Sequence, residues 1–310
     1  MQIRKAGLRV ALLCAGMMAS AVQAAIYPLP PDDVDIVGEL RIVTVQIDET
    51  LLDIGRRYSV GYEEMQRANP GVSMWVPEPG TPVVVPTRHI LPSGPREGIV
   101  LNVAEMRLYY YPPAQPGQPR MVETYPVSIG RMDWRTPIGQ TRVVAKHKNP
   151  SWYPPQSVRL EAKAKGREVP SVVPPGPDNP LGTRALRLGI PAYLIHGTNN
   201  PWGIGMRVTH GCVRMYPEDI ESLFERVPVN TPVRIVNEPV KAGWFAGSLY
   251  LEAHPVLEEH RDEQGQPLRL AVDRISQVLG SVVHRIDLDR VKDVLEGRKG
   301  LPIAISRSSI

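Results

Sequence analysis

The residues whose types and spacing could do chemistry lie between positions 196 and 215: His196-Gly197-Thr198-Asn199-Asn200-Pro201-Trp202-Gly203-Ile204-Gly205-Met206-Arg207-Val208-Thr209-His210-Gly211-Cys212-Val213-Arg214-Met215. Two histidines, two arginines and four glycines surround one cysteine. A cysteine nucleophile needs a base to take its proton, and nearby cations favour its thiolate. Arg207 and Arg214 supply positive charge. Gly211 lets the backbone approach a reacting carbonyl, where N–H groups could hold an oxyanion. His196 ends an apolar run and precedes Cys212 by 16 residues, a gap that suits a loop returning to the same sheet edge. His210 lies two residues from Cys212 and would share its face on a strand. Two bases therefore compete on residue type alone. A zinc reading takes His196, His210, Cys212 and His147 as ligands, but it lacks a compact ligand pair with a second cysteine. A third reading is a buried thiol with two satisfied histidines; the density of glycine and arginine argues against it.

Short strands must carry these residues. From 97 to 237 the chain reads as β-runs broken by turns: 99–103 and 106–111 as a hairpin around Ala104-Glu105, then 122–130, 141–147, 185–188 and 193–196. A helix is expected over 217–227 with Ile220, Leu223 and Phe224 inward, and 233–236 is expected to close the sheet. Such a pattern predicts a mainly β sandwich or barrel. Residues 149–182 break the rhythm with eight prolines, among them the run Val173-Pro174-Pro175-Gly176-Pro177. A proline-dense excursion of this length, leading straight to His196, suits a substrate wall or lid.

Upstream, 42–45 reads as a strand, 51–58 and 62–68 as helices, and 82–86 as a closing strand. This is a β-α-α-β unit over 42–87. Residues 25–41 are a Pro- and Asp-rich lead-in and 88–96 a linker. Residues 238–255 read as an extension of the sheet region. Beyond Pro255, helical periodicity over 271–283 and 288–295 predicts a helical end to a C-terminal extension spanning 238–310.

The first 24 residues carry Arg4, Lys5 and Arg9, an apolar run from Val10 to Met18, and a small-residue finish at Ala24. That is the pattern of a cleavable secretory signal peptide, and the run is short of the ~20 residues of a membrane span. The expected location is the periplasm. Removing residues 1–24 takes three cations and no acids, so the formal charge falls from +4 to +1. The hint of nucleic-acid binding goes with it. Cys14 goes too, leaving Cys212 as the one thiol and excluding an internal disulfide.

The pattern His196-Gly197…Thr209-His210-Gly211-Cys212-Val213-Arg214 resembles the signature of the L,D-transpeptidase catalytic domain, the YkuD family. The segments Gly98-Ile99-Val100-Leu101-Asn102, Met106-Arg107-Leu108-Tyr109-Tyr110-Tyr111, Thr136-Pro137-Ile138-Gly139 and Pro175-Gly176-Pro177-Asp178-Asn179-Pro180-Leu181-Gly182 agree with it. The β-α-α-β unit resembles a LysM domain through Thr44/Asp48/Thr50, Tyr58, Ala68-Asn69-Pro70 and Gly80…Val85-Pro86. Together these features resemble the periplasmic ErfK/YbiS/YcfS/YnhG group of Gram-negative bacteria. The resemblance implies a YkuD-type β-sandwich preceded by a glycan-binding LysM-like domain. It implies Cys212 as nucleophile, His196 as proton acceptor and donor, and the Gly197 carbonyl as the group orienting His196. Thr209, His210, Gly211, Arg214 and Trp202 would form the oxyanion site or contact substrate.

The implied substrate is the peptidoglycan stem peptide. The implied acceptor is a second diaminopimelate, the C-terminal lysine of an outer-membrane lipoprotein, or water. No cofactor or metal is called for. A thiol without a resolving partner in an oxidising compartment further predicts a periplasmic thiol reductase as partner. Two other function classes remain to be told apart from this one: a non-catalytic wall-binding protein using residues 42–87, and a metal-dependent hydrolase.

Overall fold

The structure, a computed structural model, describes residues 25–281 and 284–306. The expected signal peptide lies outside the described residues. Among them, the largest sheet has nine strands in the order Ala25–Pro28, Met121–Pro126, Arg107–Tyr111, Gly98–Asn102, Pro232–Val236, Gly139–Lys148, Arg184–Leu188, Leu194–His196 and Val213–Arg214. The chain is mainly β, as its sequence pattern predicts.

The central strands are apolar on both sides for a physical reason. Ile99, Leu101, Leu108 and Tyr110 enter a core shared with Ile195, Val213 and helix α4 (Pro217–Arg226). Val100, Tyr109, Tyr111 and Val122 enter a second core on the opposite face. A sheet covered on both faces needs continuous apolar runs rather than alternation.

Two details differ from the sequence expectation. Pro232–Val236 does not close the sheet. It lies at the centre, parallel to Gly98–Asn102 and antiparallel to Gly139–Lys148. The lead-in contributes the edge strand Ala25–Pro28, which pairs with Met121–Pro126; proline is tolerated there because an edge has one unpaired side.

The β-α-α-β unit runs from Leu40–Thr44 through α1 (Leu51–Arg57) and α2 (Tyr62–Ala68) to Pro82–Pro86, with the two strands antiparallel. A capping box between Thr50 and Asp53 starts α1. The Asn69 side chain ties the end of α2 to the closing strand through both the N–H and C=O of Val84. This unit packs directly on the larger sheet. Arg107, fully buried, holds Glu64 at 2.9 Å and Thr124 at 2.8 Å. Arg56 grips Glu218 with two hydrogen bonds of 2.7 and 2.8 Å. The N–H groups of Tyr62 and Glu63 donate to the carbonyls of Ile204 and Gly205 at 2.9 and 3.2 Å. The start of α2 is thus seated on the segment that joins His196 to Cys212.

Residues 240–253 form their own sheet instead of extending the main one. Val240–Phe245, Ser248–Ala253 and Ile303–Ala304 make three antiparallel strands. Helices α6 (Pro267–Leu279) and α7 (Leu288–Gly297), which follow the short α5 (Arg261–Gln264), close a separate core on them around Leu249, Leu251, Ala271, Val291 and Ile305. The expected helix over 271–283 starts earlier and stops at Leu279, where Gly280 takes φ +54°; residues 282–283 lie outside the described residues.

No helix among the described residues is long and apolar enough to cross a membrane.

Candidate active site

The strand Leu194–His196 pairs parallel to Val213–Arg214, with Ile195 opposite Val213 and His196 opposite Arg214. Ile195 and Val213 are buried in the main core. By the two-residue alternation of a strand, His196 and Arg214 then lie together on the opposite face, and Cys212 sits in the bend immediately before Val213. The long sequence gap between His196 and Cys212 is closed by this one ladder.

Cys212 is a free, half-buried thiol whose sulfur lies 3.5 Å from the Ala192 carbonyl. Its turn is tightly held. The Thr209 hydroxyl donates to the Cys212 carbonyl at 2.6 Å and accepts the Gly211 N–H at 3.2 Å. The Thr136 hydroxyl donates to the Gly211 carbonyl at 2.9 Å and accepts the Gly130 N–H at 3.1 Å.

Gly211 has φ +102°, and a Cβ placed on it would sit 2.9 Å from the Tyr193 ring. Backbone strain and this clash act together. Gly211→Ala is therefore expected to cost about 1–3 kcal/mol and to slow turnover at least ~10-fold by moving Cys212. Thermal melting and steady-state kinetics check it; wild-type values in both would contradict it.

His196 is buried, and its Nδ1 lies 2.7 Å from the Gly197 carbonyl. That contact places the ring proton on Nδ1 and leaves Nε2 as the basic nitrogen. Burial, with Arg214 second, pushes the imidazolium down to about 3, so the ring is neutral over the physiological range. Burial likewise pushes the Cys212 thiol up, against the Leu194 backbone N–H and Arg214, which pull it down. The resting groups are therefore a thiol and a neutral imidazole. This differs from the expectation of a cation-stabilised thiolate, and one reason is visible in Arg207: it is ion-paired to Glu259 of the C-terminal region. Arg214 stays close, and its Nε is buried without a hydrogen-bond partner among the described residues.

The other candidate residues divide. His210 faces away from a role as base: its Nε2 is 2.7 Å from Glu161 of helix α3 (Gln156–Ala164), and its ring packs against Trp134 at 5.3 Å between centroids. Trp202 stands half-exposed on the 3-10 turn Pro201–Gly203. His147 sits on Gly139–Lys148, opposite Ala185 and two strands from His196. The four residues of the zinc reading do not form a ligand cluster among the described residues. The group that does is Glu105, Glu252 and His254, and there the Lys241 ammonium lies 2.9 Å from Glu105 and 2.8 Å from Glu252. Sequence reasoning missed Glu161, because α3 hides inside the proline-dense excursion and buries only Ala162.

A second electrostatic feature lies on α4, near Arg56 and Arg107. Asp219, in the first turn of α4, is buried with Oδ2 unpartnered, and burial, with Glu218 second, pushes its carboxyl up to about 8. A carboxyl raised above its unfolded value of ~3.9 contributes stability that is complete below pH ~4 and lost as pH rises through 8. Asp219→Asn should remove that loss. At pH 9 the variant is expected to melt a few degrees above wild type, about 2–4 °C, with little difference at pH 5. Parallel melting profiles would contradict the assignment.

A buried histidine strand-paired to Arg214, two residues past a free cysteine in a glycine turn, is an arrangement that suits a cysteine acyltransferase. The L,D-transpeptidase catalytic domain (YkuD) model matches residues 96–235. The chain is 39% identical over 299 residues to the probable L,D-transpeptidase YcfS of Escherichia coli K12, covering 94% of this chain and 92% of that one. It is 42% identical over 286 residues to the probable L,D-transpeptidase ErfK/SrfK of Salmonella typhimurium (90% and 91% covered). It is 40% identical over 294 residues to the probable L,D-transpeptidase YbiS of E. coli K12 (93% and 94% covered). The protein belongs to the L,D-transpeptidase family and is an acyl-transferring enzyme.

Proposed function

We propose that the chain transfers the acyl group of a peptidoglycan tetrapeptide stem to an amine through a thioester on Cys212. One observation carries this reading: the parallel pairing of Leu194–His196 with Val213–Arg214, which sets His196 opposite Arg214, two residues past Cys212. His196 Nε2 takes the thiol proton as sulfur attacks the carbonyl of the L-centre of the third residue. The oxyanion is held at the Gly211-Cys212 turn by the Cys212 N–H, the Gly211 N–H being donated to Thr209. The C–N bond breaks, His196 gives the proton to the departing amine, and D-alanine leaves. An incoming amine then attacks the thioester, loses its proton to His196, and Cys212 returns as thiol. Arg214, with its unpaired buried Nε, is suited to a substrate carboxylate.

The acceptors are the ammonium-bearing centre of a second diaminopimelate and the C-terminal lysine of an outer-membrane lipoprotein. Incubating the protein with disaccharide tetrapeptide and both acceptors, followed by mass analysis, separates them. A cross-linked muropeptide dimer or a peptidyl-lysine adduct supports transfer, whereas release of D-alanine with free tripeptide alone would make the protein a carboxypeptidase.

The β-α-α-β unit serves as a LysM-like glycan holder in this reading. Ile47, Trp75 and Val76 are exposed on the two loops at one end of the unit, and the Leu51 N–H joins those loops by donating to the Met74 carbonyl. An exposed indole beside aliphatic groups suits the apolar face of a sugar ring. Export to the periplasm, and a periplasmic thiol reductase for a thiol with no resolving cysteine, complete the proposal.

A further inference from the structure

Helix α3 is poorly held by apolar packing. Of its nine residues only Ala162 is buried, and Leu160 is 58% exposed. An isolated helix of this length is marginal in water. Its attachment to the rest of the molecule is polar and converges on one carboxylate. Glu161 accepts from Arg131 at 2.8 Å, from Lys165 at 2.6 Å, and lies 2.7 Å from His210 Nε2.

Two of these partners belong to the bed of the nucleophile turn. The Arg131 N–H donates to the Thr209 carbonyl at 3.0 Å, and the Trp134 N–H to the Arg131 carbonyl at 2.8 Å. His210 immediately precedes Gly211 and Cys212. Helix α3 and this bed share an open surface groove of about 560 Å³ lined by Arg131, Asp133, Trp134, Ser157, Leu160 and Glu161. Arg131, then Lys165 and His210, hold the Glu161 carboxyl well below the usual carboxylate range, so the hub stays ionised.

We infer that Glu161 is a positioning residue for the transfer reaction: it fixes α3 against the Arg131–Trp134 segment and, through His210, sets the turn that presents Cys212. The inference rests on the thioester reading of Cys212. It assigns the proline-dense excursion a defined mechanical role, with one residue as its latch.

The test compares wild type, Glu161→Ala, Glu161→Gln and Cys212→Ala in two assays. Turnover is measured on disaccharide tetrapeptide with an amine acceptor. Thiol access is measured as the rate of Cys212 alkylation by iodoacetamide, followed by peptide mass. Glu161→Ala is expected to lower kcat ~10- to 100-fold with KM changed less, to raise the alkylation rate, and to leave the melting temperature close to wild type. Glu161→Gln, which keeps size and one acceptor oxygen, should fall between. Wild-type kcat and alkylation in Glu161→Ala would overturn the inference. So would a loss of turnover that only follows a loss of folded protein. Wild-type turnover in Cys212→Ala would instead overturn the thioester reading beneath it.

Discussion

Cys212→Ala is expected to lower acyl transfer at least ~10³-fold while leaving the fold intact. Cys212 is half-buried, its sulfur lies by the Ala192 carbonyl and the Leu194 backbone, and its turn is held by Thr209 and Thr136 through backbone atoms. Removing the sulfur therefore deletes chemistry and little packing. The loss is large because no other thiol lies in the site, and His210 is already engaged by Glu161. The resting state sharpens the expectation. With His196 pushed down to about 3 by burial and Arg214, the base is available at every pH from 5 to 8. The rate should then show no rising limb near the ordinary histidine value of ~6.5. The same depression has a stability consequence. A histidine kept neutral in the fold binds fewer protons than in the unfolded chain, so it costs stability as pH falls below ~6.5. Rate against pH on tetrapeptide substrate checks the first point. A Cys212→Ala variant within tenfold of wild type would contradict the account.

Lys241→Met is expected to cost about 3–5 kcal/mol of folding stability at pH 7.5. Lys241 is 1% exposed and stands between two fully buried carboxylates, Glu105 at 2.9 Å and Glu252 at 2.8 Å, with the Ile90 carbonyl at 2.7 Å. These partners come from the main-sheet hairpin, the C-terminal sheet and the linker, so one ammonium joins three regions. Burial works to lower the ammonium, but Glu105 and Glu252 outweigh it and hold Lys241 above its ordinary value. Burial works to raise Glu252, but Lys241 and His254 outweigh it and hold it below. Methionine fills the stem but removes the one ammonium both acids share, leaving Glu105 to Asn102 and Tyr109 and Glu252 to the Ile90 N–H and His254. Without the ammonium, burial is expected to raise the Glu252 carboxyl above its unfolded value of ~4.3, so the penalty is full at neutral pH and shrinks as pH falls toward 4. Urea unfolding at pH 7.5 and 5 reads both effects. Equal stability of variant and wild type at pH 7.5 would mean the cluster is not a junction.

What was legible in the sequence is local. Strong signals named α2 at Tyr62–Ala68, the closing strand Pro82–Pro86 and the hairpin of Gly98–Asn102 with Arg107–Tyr111, because turn residues and apolar runs sit next to each other in the chain. The chemistry of Cys212 and the two histidines was legible as residue type and spacing, which left the choice of base open until the family resemblance implied His196. That choice depends on a ladder between strands 16 residues apart and on Glu161, 49 residues upstream, engaging His210. The separate C-terminal sheet escaped for a related reason. Its third strand, Ile303–Ala304, is two residues long and lies far along the chain from its partner Ser248–Ala253, so nothing local marks the pairing. Lys241 with Glu105 and Glu252 was invisible for the same cause: charged residues read as surface until distant segments bury them together. Arg207 reads as a cation for the thiol until Glu259 of the C-terminal region pairs with it.

The central claim is a covalent acyl-enzyme on Cys212. Its most direct measurement is the intact mass of the protein quenched in acid after brief incubation with disaccharide tetrapeptide and no acceptor. The account predicts an adduct equal to the donor less D-alanine, mapped to the peptide containing Cys212, lost on adding an amine acceptor and absent in Cys212→Ala. Turnover without any adduct, or an adduct that persists in Cys212→Ala, would contradict it.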